Sequence, residues 1–258
     1  MTTTDAFDGL AADYDRAFTQ TRIGRWMREA TWRRCDALFP AGARVLEINC
    51  GTGEDAVHLG RRGVRVVATD ASPAMVTVAR RKVEDAGLES VVEVALRPIE
   101  AIGDDLGAFD GVLSNFGGLN CVGDLAAVAT RLAGVLRPGG RALLCVMGPR
   151  VPWEFAWFAI RGDLARARRR RRGGVTWRGM TIHYYAAADV RAAFAPGFRV
   201  TRTWALGAVM PPPFAEAWAV THPRLSAGLA RLERRLETAW PLPSLADHVV
   251  VELERRPA

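Results

Sequence analysis

The chain has 258 residues, of which 49% are hydrophobic, and this length allows one domain with a sizeable core plus additional segments. Its 35 basic and 28 acidic residues give a net charge of +7, but Lys82 is the only lysine, and an arginine bias is as easily explained by genome composition as by nucleic-acid binding. The four cysteines have no paired short spacing, which argues against a zinc site or a disulfide framework. We therefore expect no metal and no nucleic-acid partner.

The N-terminus, Met1–Asp5, has no basic region followed by an apolar core. No run in the chain approaches the roughly 18 apolar residues that a membrane-spanning helix needs. Both secretion and membrane spanning are therefore disfavoured, and we predict a cytoplasmic protein.

An apolar run, Val45–Ile48, carries an acid at Glu47 and ends in the small-residue turn Asn49–Gly53. This pattern predicts a buried strand, a sharp turn and a helix directly after it. Because Gly51 and Gly53 have no Cβ, the backbone can approach a ligand closely here. A carboxylate at the strand end would repel a pyrophosphate but suits a cofactor that carries positive charge.

A second apolar run ends in Asp70, about twenty residues after the first turn. An acid at that place can accept hydrogen bonds from both hydroxyls of a ribose. A glycine-rich turn alone is weak evidence, and its spacing to Asp70 makes it much stronger. We interpret the two features as a nucleotide-cofactor site on the first two strands of a parallel sheet.

These residues match a known family pattern. Glu47, Gly51 and Gly53 resemble the first motif of the class I S-adenosylmethionine-dependent methyltransferases, and Asp70 resembles their ribose-binding acid. The resemblance implies that the methionine end of S-adenosylmethionine lies over the turn and the adenosine lies toward Asp70. The family usually has glycine at the position of Asn49, but asparagine tolerates positive φ, so we expect the turn to survive with Asn49 at the cofactor.

The resemblance also implies contacts along the rest of the cofactor. Ala71 and Met75 follow the ribose-binding acid, and Ile99 follows the third strand, where it supplies an apolar contact and a backbone amide. Arg97 stands where the family commonly has aspartate, which puts the usual contact to the adenine amino group in doubt. Asn115, after the fourth strand, lies beside the sulfonium in the resembling fold.

Strands and helices continue in alternation. Phe109–Asn115 resembles the family's fourth strand, Leu136–Gly140 resembles its turn into the fifth, and Arg141–Met147 restarts as an apolar strand. Pro138 and two glycines end a helix predicted at about 124 to 136. The resemblance implies an α/β fold: a Rossmann-like, doubly wound sheet of seven strands, mostly parallel with an antiparallel last strand, plus helical cap insertions.

We expect a single methyltransferase domain over residues 1–258. Its parts in chain order are N-terminal lid helices at 1–40, a cofactor-binding core at 41–147, cap insertions at 148–185 and 207–245, and a last strand at 247–254. Between the two insertions, the pattern predicts a helix at about 187–194 and a strand at 198–206.

Two regions hold the candidate catalytic residues. The segment Phe7–Asp15 resembles the N-terminal segment of small-molecule methyltransferases, including those of ubiquinone and menaquinone biosynthesis, in which a helix closes over the cofactor. Tyr14 is our candidate at that lid, although packing of its ring onto the core explains it nearly as well. His183 and His222 are the candidate general bases because imidazole titrates near neutral pH, and for either one a structural role is favoured.

An arginine run, Arg168–Arg172, follows the aromatic segment Trp153–Phe158 that is inserted after the fifth strand. The first interpretation is a solvated surface. The second is a contact with anionic membrane lipid or an acidic partner, in which the aromatic side chains provide anchorage. RNA binding comes last, because the chain has no recognisable RNA-binding module.

The predicted activity is methyl transfer from S-adenosylmethionine to O, N or C of a small, hydrophobic or aromatic metabolite. Such a transfer is an in-line displacement, which needs a positioned acceptor, exclusion of water and, for a hydroxyl or a protonated amine, removal of a proton. Two alternatives stay open: a non-methylating S-adenosylmethionine-dependent enzyme, and a cofactor-binding regulatory module that docks on a membrane or an acidic partner. We expect a monomer or a homodimer.

Overall fold

The structure, a computed structural model, describes residues 7–257, so the predictions that concern Met1–Asp5 lie outside the described residues. The strands are β1 (Arg44–Ile48), β2 (Arg65–Asp70), β3 (Val92–Leu96), β4 (Phe109–Ser114), β5 (Leu136–Met147), β6 (Gly174–Trp177), β7 (Met180–His183), β8 (Phe198–Leu206) and β9 (His248–Arg255). The α-helices are α1 (Ala11–Tyr14), α2 (Arg22–Leu38), α3 (Glu54–Arg61), α4 (Pro73–Asp85), α5 (Leu125–Val135), α6 (Pro152–Ile160), α7 (Leu164–Ala167), α8 (Ala187–Phe194), α9 (Glu216–Thr221) and α10 (Pro223–Leu236).

Seven of these strands form one sheet in the order β3-β2-β1-β4-β5-β9-β8. The neighbours from β3 to β5 pair in parallel, whereas β9 lies between β5 and β8 and is antiparallel to both. A parallel strand that is covered on both faces has to be apolar along its length, and Val45, Leu46 and Ile48 of β1 are fully buried. The predicted fold class, a mostly parallel Rossmann-like sheet with an antiparallel last strand, is confirmed.

Helices cover the two faces of the sheet. Helices α2, α3 and α4 contribute to one apolar cluster, and α5 and α8 contribute to the other. The Ser72 hydroxyl accepts a hydrogen bond from the amide of Met75 and Pro73 fixes the first turn, which starts α4 directly after β2. The carboxyl ends of β1, β2 and β4 are thereby left at one edge of the sheet, between the two helical layers.

The elements that follow from local pattern agree with the prediction to within a residue, including α3, α8 and β8. One boundary differs. The backbone is already extended at Leu136, whereas a turn was predicted over Leu136–Gly140, because Leu136 pairs with Phe109 at the start of β4. Strand β5 therefore begins at Leu136 and not at Arg141.

The two predicted cap insertions pack in different places. The 148–185 segment contains α6, α7, a 3-10 turn and the β6–β7 hairpin. The 207–245 segment contains α9 and α10, and its Ala219, Trp218 and Leu229 pack with the apolar cluster on the α2 face of the sheet.

Candidate functional site

A cavity of about 440 Å³ lies at the carboxyl ends of β1, β2 and β4. Each strand supplies polar groups at the point where it ends: Asn49 and Gly51 follow β1, Asp70 closes β2, and Asn115 follows β4. Open α/β sheets bind their ligands at this edge, outside the carboxyl ends of the strands. The cavity is therefore the candidate site.

The turn after β1 has the backbone that the sequence predicts. Asn49, Gly51 and Gly53 have positive φ angles of 57°, 55° and 76°. Gly51 lines the cavity and a Cβ there would meet open space, whereas a Cβ on Gly53 would lie 2.9 Å from the Cβ of Ala79 in α4. Gly51 thus leaves its backbone open to a ligand, and Gly53 permits close packing of the turn on α4.

Asp70 is bound to the backbone of the same turn. Its Oδ2 accepts a hydrogen bond from the Gly51 amide at 2.8 Å, and its Oδ1 accepts one from the Ser72 amide at 2.9 Å. Burial raises the pKa of Asp70, while these amide hydrogen bonds oppose the rise. Each carboxylate oxygen keeps a further lone pair, and Asp70 therefore can accept from a diol in the cavity that Ala71 and Met75 also line.

Two buried polar atoms near the turn have no hydrogen-bond partner among the described residues: Glu47 Oε2 and Asn49 Nδ2. Glu47 is 2% exposed, and its burial, followed by the nearby Asp55, raises its pKa well above the usual range. The Asn49 side chain occupies space that Gly118 leaves free, since a Cβ on Gly118 would lie 2.3 Å from the Asn49 Cβ. An unpaired buried polar atom costs about 1–3 kcal/mol, so one unpaired acceptor and one unpaired donor here point to a ligand that offers both groups.

A charged network that sequence analysis missed forms the floor of the cavity. The Arg28 guanidinium donates to Asp55 Oδ1 at 2.9 Å, and the Asn115 amide donates to Asp55 Oδ2 at 3.0 Å. Arg28 also lies over the ring of Phe116, 4.9 Å from its centroid, and is 5% exposed. The predicted cofactor residue Asn115 does line the cavity, but its amide is held by Asp55 and Thr31.

The N-terminal segment, which we define as residues 7–19, covers part of the cavity. Phe7, Leu10 and Tyr14 contribute to its wall. Burial raises the pKa of the Tyr14 hydroxyl, so this group stays protonated and is a donor at neutral pH. Tyr14 therefore suits positioning of a ligand better than removal of a proton.

Much of the remaining wall is apolar and aromatic. Phe116 and Met147 come from the core, and Val175, Trp177 and Ile182 come from the β6–β7 hairpin. The ring of Trp177 packs on that of Phe7, with centroids 5.8 Å apart, and so joins the hairpin to the N-terminal segment. Arg169 is a charged group on this side.

Five of the sequence-predicted residues are not part of the cavity wall. Glu47 and Gly53 lie directly behind it, and Ile99 is buried in the core beside α5. His183 stacks on Tyr185, with ring centroids 5.9 Å apart, and His222 hydrogen-bonds Thr221 and the carbonyl of Trp218. The structure does not bring either histidine to the cavity wall, so neither one is placed to act as a base there.

The interpretation of Arg168–Arg172 as one solvated run is wrong for two of its members. Arg170 is 7% exposed and donates to Glu154 Oε2 at 2.8 Å and to Asp247 Oδ1 at 2.5 Å. Arg169 donates to both oxygens of Glu154. The two acids are themselves buried, and the local pattern could not reveal them because Asp247 is 77 residues away.

All four cysteines are free, and burial raises the pKa of Cys50 well above its usual range and that of Cys121 to about 12, so these two cavity thiols stay protonated. Between residues 7 and 257, no three His, Cys, Asp or Glu side chains are arranged to hold a metal ion. No helix in this range has the length and apolar character needed to cross a bilayer.

Comparison with known proteins agrees with this geometry. Residues 45–140 match the family model of a methyltransferase domain. The chain is 37% identical over 151 residues to a demethylmenaquinone methyltransferase of Clavibacter sepedonicus, which covers 57% of this chain and 58% of that protein. It is 35% identical over 120 residues to a ubiquinone biosynthesis O-methyltransferase of Xanthomonas axonopodis, which covers 46% of this chain and 48% of that protein.

The chain thus spans about half the length of the curated relatives it matches. Among solved structures, a putative S-adenosylmethionine dependent methyltransferase from Listeria monocytogenes superposes with a TM-score of 0.58 at 16% identity, covering 89% of this chain and 100% of that one. At this identity the likeness shows the fold. Residues 45–140 are therefore similar to a methyltransferase domain, and the fold is one that a solved S-adenosylmethionine-dependent methyltransferase shares.

Proposed function

We propose that this protein binds S-adenosylmethionine in the described cavity and transfers its methyl group to a small, hydrophobic or aromatic metabolite. The observation that carries the proposal is the glycine turn, where Asn49 on the cavity wall and Glu47 just outside it each have one buried polar atom without a hydrogen-bond partner among the described residues. The methionine end of the cofactor has an ammonium, which donates, and a carboxylate, which accepts. The ammonium can donate a hydrogen bond to Glu47 Oε2, and the carboxylate can accept one from Asn49 Nδ2.

Other residues then hold the remainder of the cofactor. Asp70 accepts from the ribose hydroxyls, with Ala71 and Met75 beside the adenosine. Asn115 also lines the cavity, where its amide is held by the Asp55 carboxylate that pairs with Arg28. When bound, S-adenosylmethionine supplies an electrophilic methyl group on a cationic sulfur.

The protein's own contribution is to hold the acceptor and exclude water. Phe7, Leu10 and Tyr14 cover one side, and the β6–β7 hairpin covers another. With His183 and His222 outside the wall, the site suits an acceptor that is nucleophilic without an enzymic imidazole base. The acceptor atom, O, N or C, stays a prediction.

The apolar and aromatic part of the cavity wall supports an acceptor with an apolar or aromatic ring, because Phe116, Trp177 and Tyr184 can stack or pack on such a ring. The names of the two curated relatives, which refer to demethylmenaquinone and to ubiquinone biosynthesis, agree with a ring of quinone or phenol type. A cytoplasmic location and a monomeric or homodimeric state stay predictions.

The test is transfer of radiolabelled methyl from S-adenosylmethionine into an extract of the source cells, split into solvent-soluble, nucleic-acid and protein fractions. We expect label in the solvent-soluble fraction with the wild type, none with Asp70→Asn, and wild-type transfer with the matched control Asp105→Asn, whose carboxylate is exposed and paired with Arg97. Label in nucleic acid or protein overturns the acceptor class. Binding of S-adenosylhomocysteine in calorimetry without label in any fraction favours the non-methylating alternative.

A further inference from the structure

The N-terminal segment is tied to the core by two carboxylates, one near each end. Asp8 Oδ1 accepts hydrogen bonds from the Ser72 hydroxyl and from the Ala74 amide at 3.3 Å, at the start of α4. Asp15 makes the second tie, beyond Tyr14. Three side chains of the cavity wall, Phe7, Leu10 and Tyr14, lie in or beside the stretch between these ties.

At the second tie, the Lys82 ammonium of α4 pairs with carboxylates of the N-terminal segment and of α3. Lys82 Nζ of α4 donates to Asp15 Oδ2 at 2.6 Å and to Glu54 Oε2 of α3 at 2.8 Å. Thr52 of the glycine turn donates its hydroxyl to Asp15 Oδ1 at 2.7 Å. The side chains of Lys82, Asp15 and Glu54 are only 21%, 22% and 28% exposed, so water screens these contacts incompletely.

Lys82 is the cation that balances the charges of this cluster. Asp15 and Glu54 are both anionic, and Lys82 is the cation that bridges them. Although burial raises the pKa of Asp15, hydrogen bonds from Lys82 and Thr52 lower it below the usual value. Without the ammonium, two partly shielded carboxylates face each other, and at this end only the Thr52 hydroxyl still ties Asp15 to the turn.

From this arrangement we propose that Lys82 is a positioning residue, which holds the N-terminal segment closed over the cavity and couples it to the glycine turn. Neutralising Lys82 releases the segment and speeds ligand exchange. The part about ligand exchange rests on the proposed function, while the closure of the segment does not.

The experiment compares Lys82→Met, which removes the charge, with Lys82→Arg, which keeps it. Arg137→Met is the matched control, since Arg137 pairs with Asp110 on an exposed surface outside the cavity wall. The first readout is trypsin cleavage after Arg16, followed by mass spectrometry, because cleavage of a folded segment requires its local opening. The second is the dissociation rate of S-adenosylhomocysteine.

We expect Lys82→Met to be cleaved after Arg16, and to release S-adenosylhomocysteine, about tenfold faster than the wild type. Lys82→Arg and Arg137→Met should stay within about twofold. The proposal is overturned when Lys82→Met behaves as the wild type, or when Lys82→Arg is as fast as Lys82→Met. Faster cleavage with unchanged dissociation overturns the coupling to the cavity.

Chemical modification gives an independent test because Lys82 is the only lysine. Acetylation removes its charge and reductive methylation keeps it, so only the acetylated protein should open. If Lys82→Met unfolds as a whole, Asp15→Asn takes its place in the cleavage assay. Failure of the wild type to bind S-adenosylhomocysteine would sink the proposed function, and Arg16 cleavage alone then decides whether Lys82 closes the segment.

Discussion

The two halves of the cavity are built in different ways. The half at the glycine turn consists of strand ends and backbone amides within one stretch of chain, with Asp70 accepting from Gly51 and Ser72. The other half consists mainly of side chains from the N-terminal segment and the β6–β7 hairpin, which the chain brings together over more than 150 residues.

The two halves are held rigid by different interactions. In the first half, the hydrogen bonds of the parallel sheet hold the strand ends and the turn in place, independently of which metabolite binds. The second half depends on a few long-range contacts, such as Arg170 with Asp247 and Phe7 with Trp177. We therefore expect substitutions in the first half to change cofactor binding, and substitutions in the second half to change stability or acceptor binding.

Arg170→Met should have the largest effect. It leaves Glu154 and Asp247 buried without their shared cation, which costs about 3–5 kcal/mol in the free energy of unfolding. Chemical denaturation measures this loss, and the exposed Arg168→Met, with a loss below about 0.5 kcal/mol, is the control. Equal losses in the two variants would contradict the distinction between buried and solvated arginines in this run.

The same cluster predicts a pH dependence. Burial raises the pKa of Asp247, but Arg170 and His248 outweigh it and hold the pKa below the usual 3.8. A lowered carboxyl pKa stabilises the fold above the ordinary value and loses that contribution as pH falls through the folded-state value. The stability gap between the wild type and Arg170→Met should therefore narrow below about pH 4 in denaturation series.

Asp70→Ala tests the half at the glycine turn. It should weaken binding of S-adenosylhomocysteine by about 1.5–3 kcal/mol for each charged hydrogen bond lost, while the circular dichroism spectrum stays that of the wild type. Isothermal titration calorimetry gives the affinity. Unchanged affinity would remove Asp70 from the cofactor site.

Glu47→Gln separates stability from binding at the glycine turn, because the variant should be more stable than the wild type and should bind the cofactor more weakly. The raised pKa of Glu47 means that the wild-type fold loses stability as pH rises above the ordinary 4.5 toward the folded-state value. The amide avoids this, so at pH 7 the variant should unfold at a higher temperature than the wild type.

In binding, the Glu47→Gln variant loses the carboxylate that we propose as the partner of the cofactor ammonium. Affinity for S-adenosylhomocysteine should rise with pH in the wild type over the range in which Glu47 titrates, and should be weaker and flat in the variant. Thermal unfolding and calorimetry from pH 5 to pH 9, at steps of about one unit, measure both. A variant that loses stability and keeps its affinity would refute this role for Glu47.

Trp177→Ala should have the smallest effect. The substitution removes the indole ring from the cavity wall together with its contact to Phe7. The KM of the identified acceptor should rise by about five- to tenfold, which corresponds to about 1 kcal/mol of lost apolar contact. Affinity for S-adenosylhomocysteine should stay within about twofold, since Trp177 comes from the other half. A larger change in cofactor affinity than in KM would mean that the halves are not separate.

Features of the site that depend on local spacing were predictable from the sequence, and contacts between distant residues were not. The turn and Asp70 were predictable because their spacing belongs to one strand-helix-strand unit. The Arg28–Asp55 pair spans 27 residues and the Asn115–Asp55 contact spans 60, and no local periodicity marks such pairs. Likewise, nothing in a run of five arginines distinguishes Arg170, whose burial depends on acids elsewhere in the chain.

The position of β9 has a consequence for the order in which the molecule forms. Strands β1 to β5 can pair as the ribosome delivers them, but β8 has no neighbour in the sheet until β9 has been made, because β9 lies between β8 and β5. Asp247, the partner of Arg170, precedes β9 directly. During synthesis the half at the glycine turn can therefore assemble early, whereas the contact of Arg170 with Asp247 that supports the other half forms only after β9 has been made.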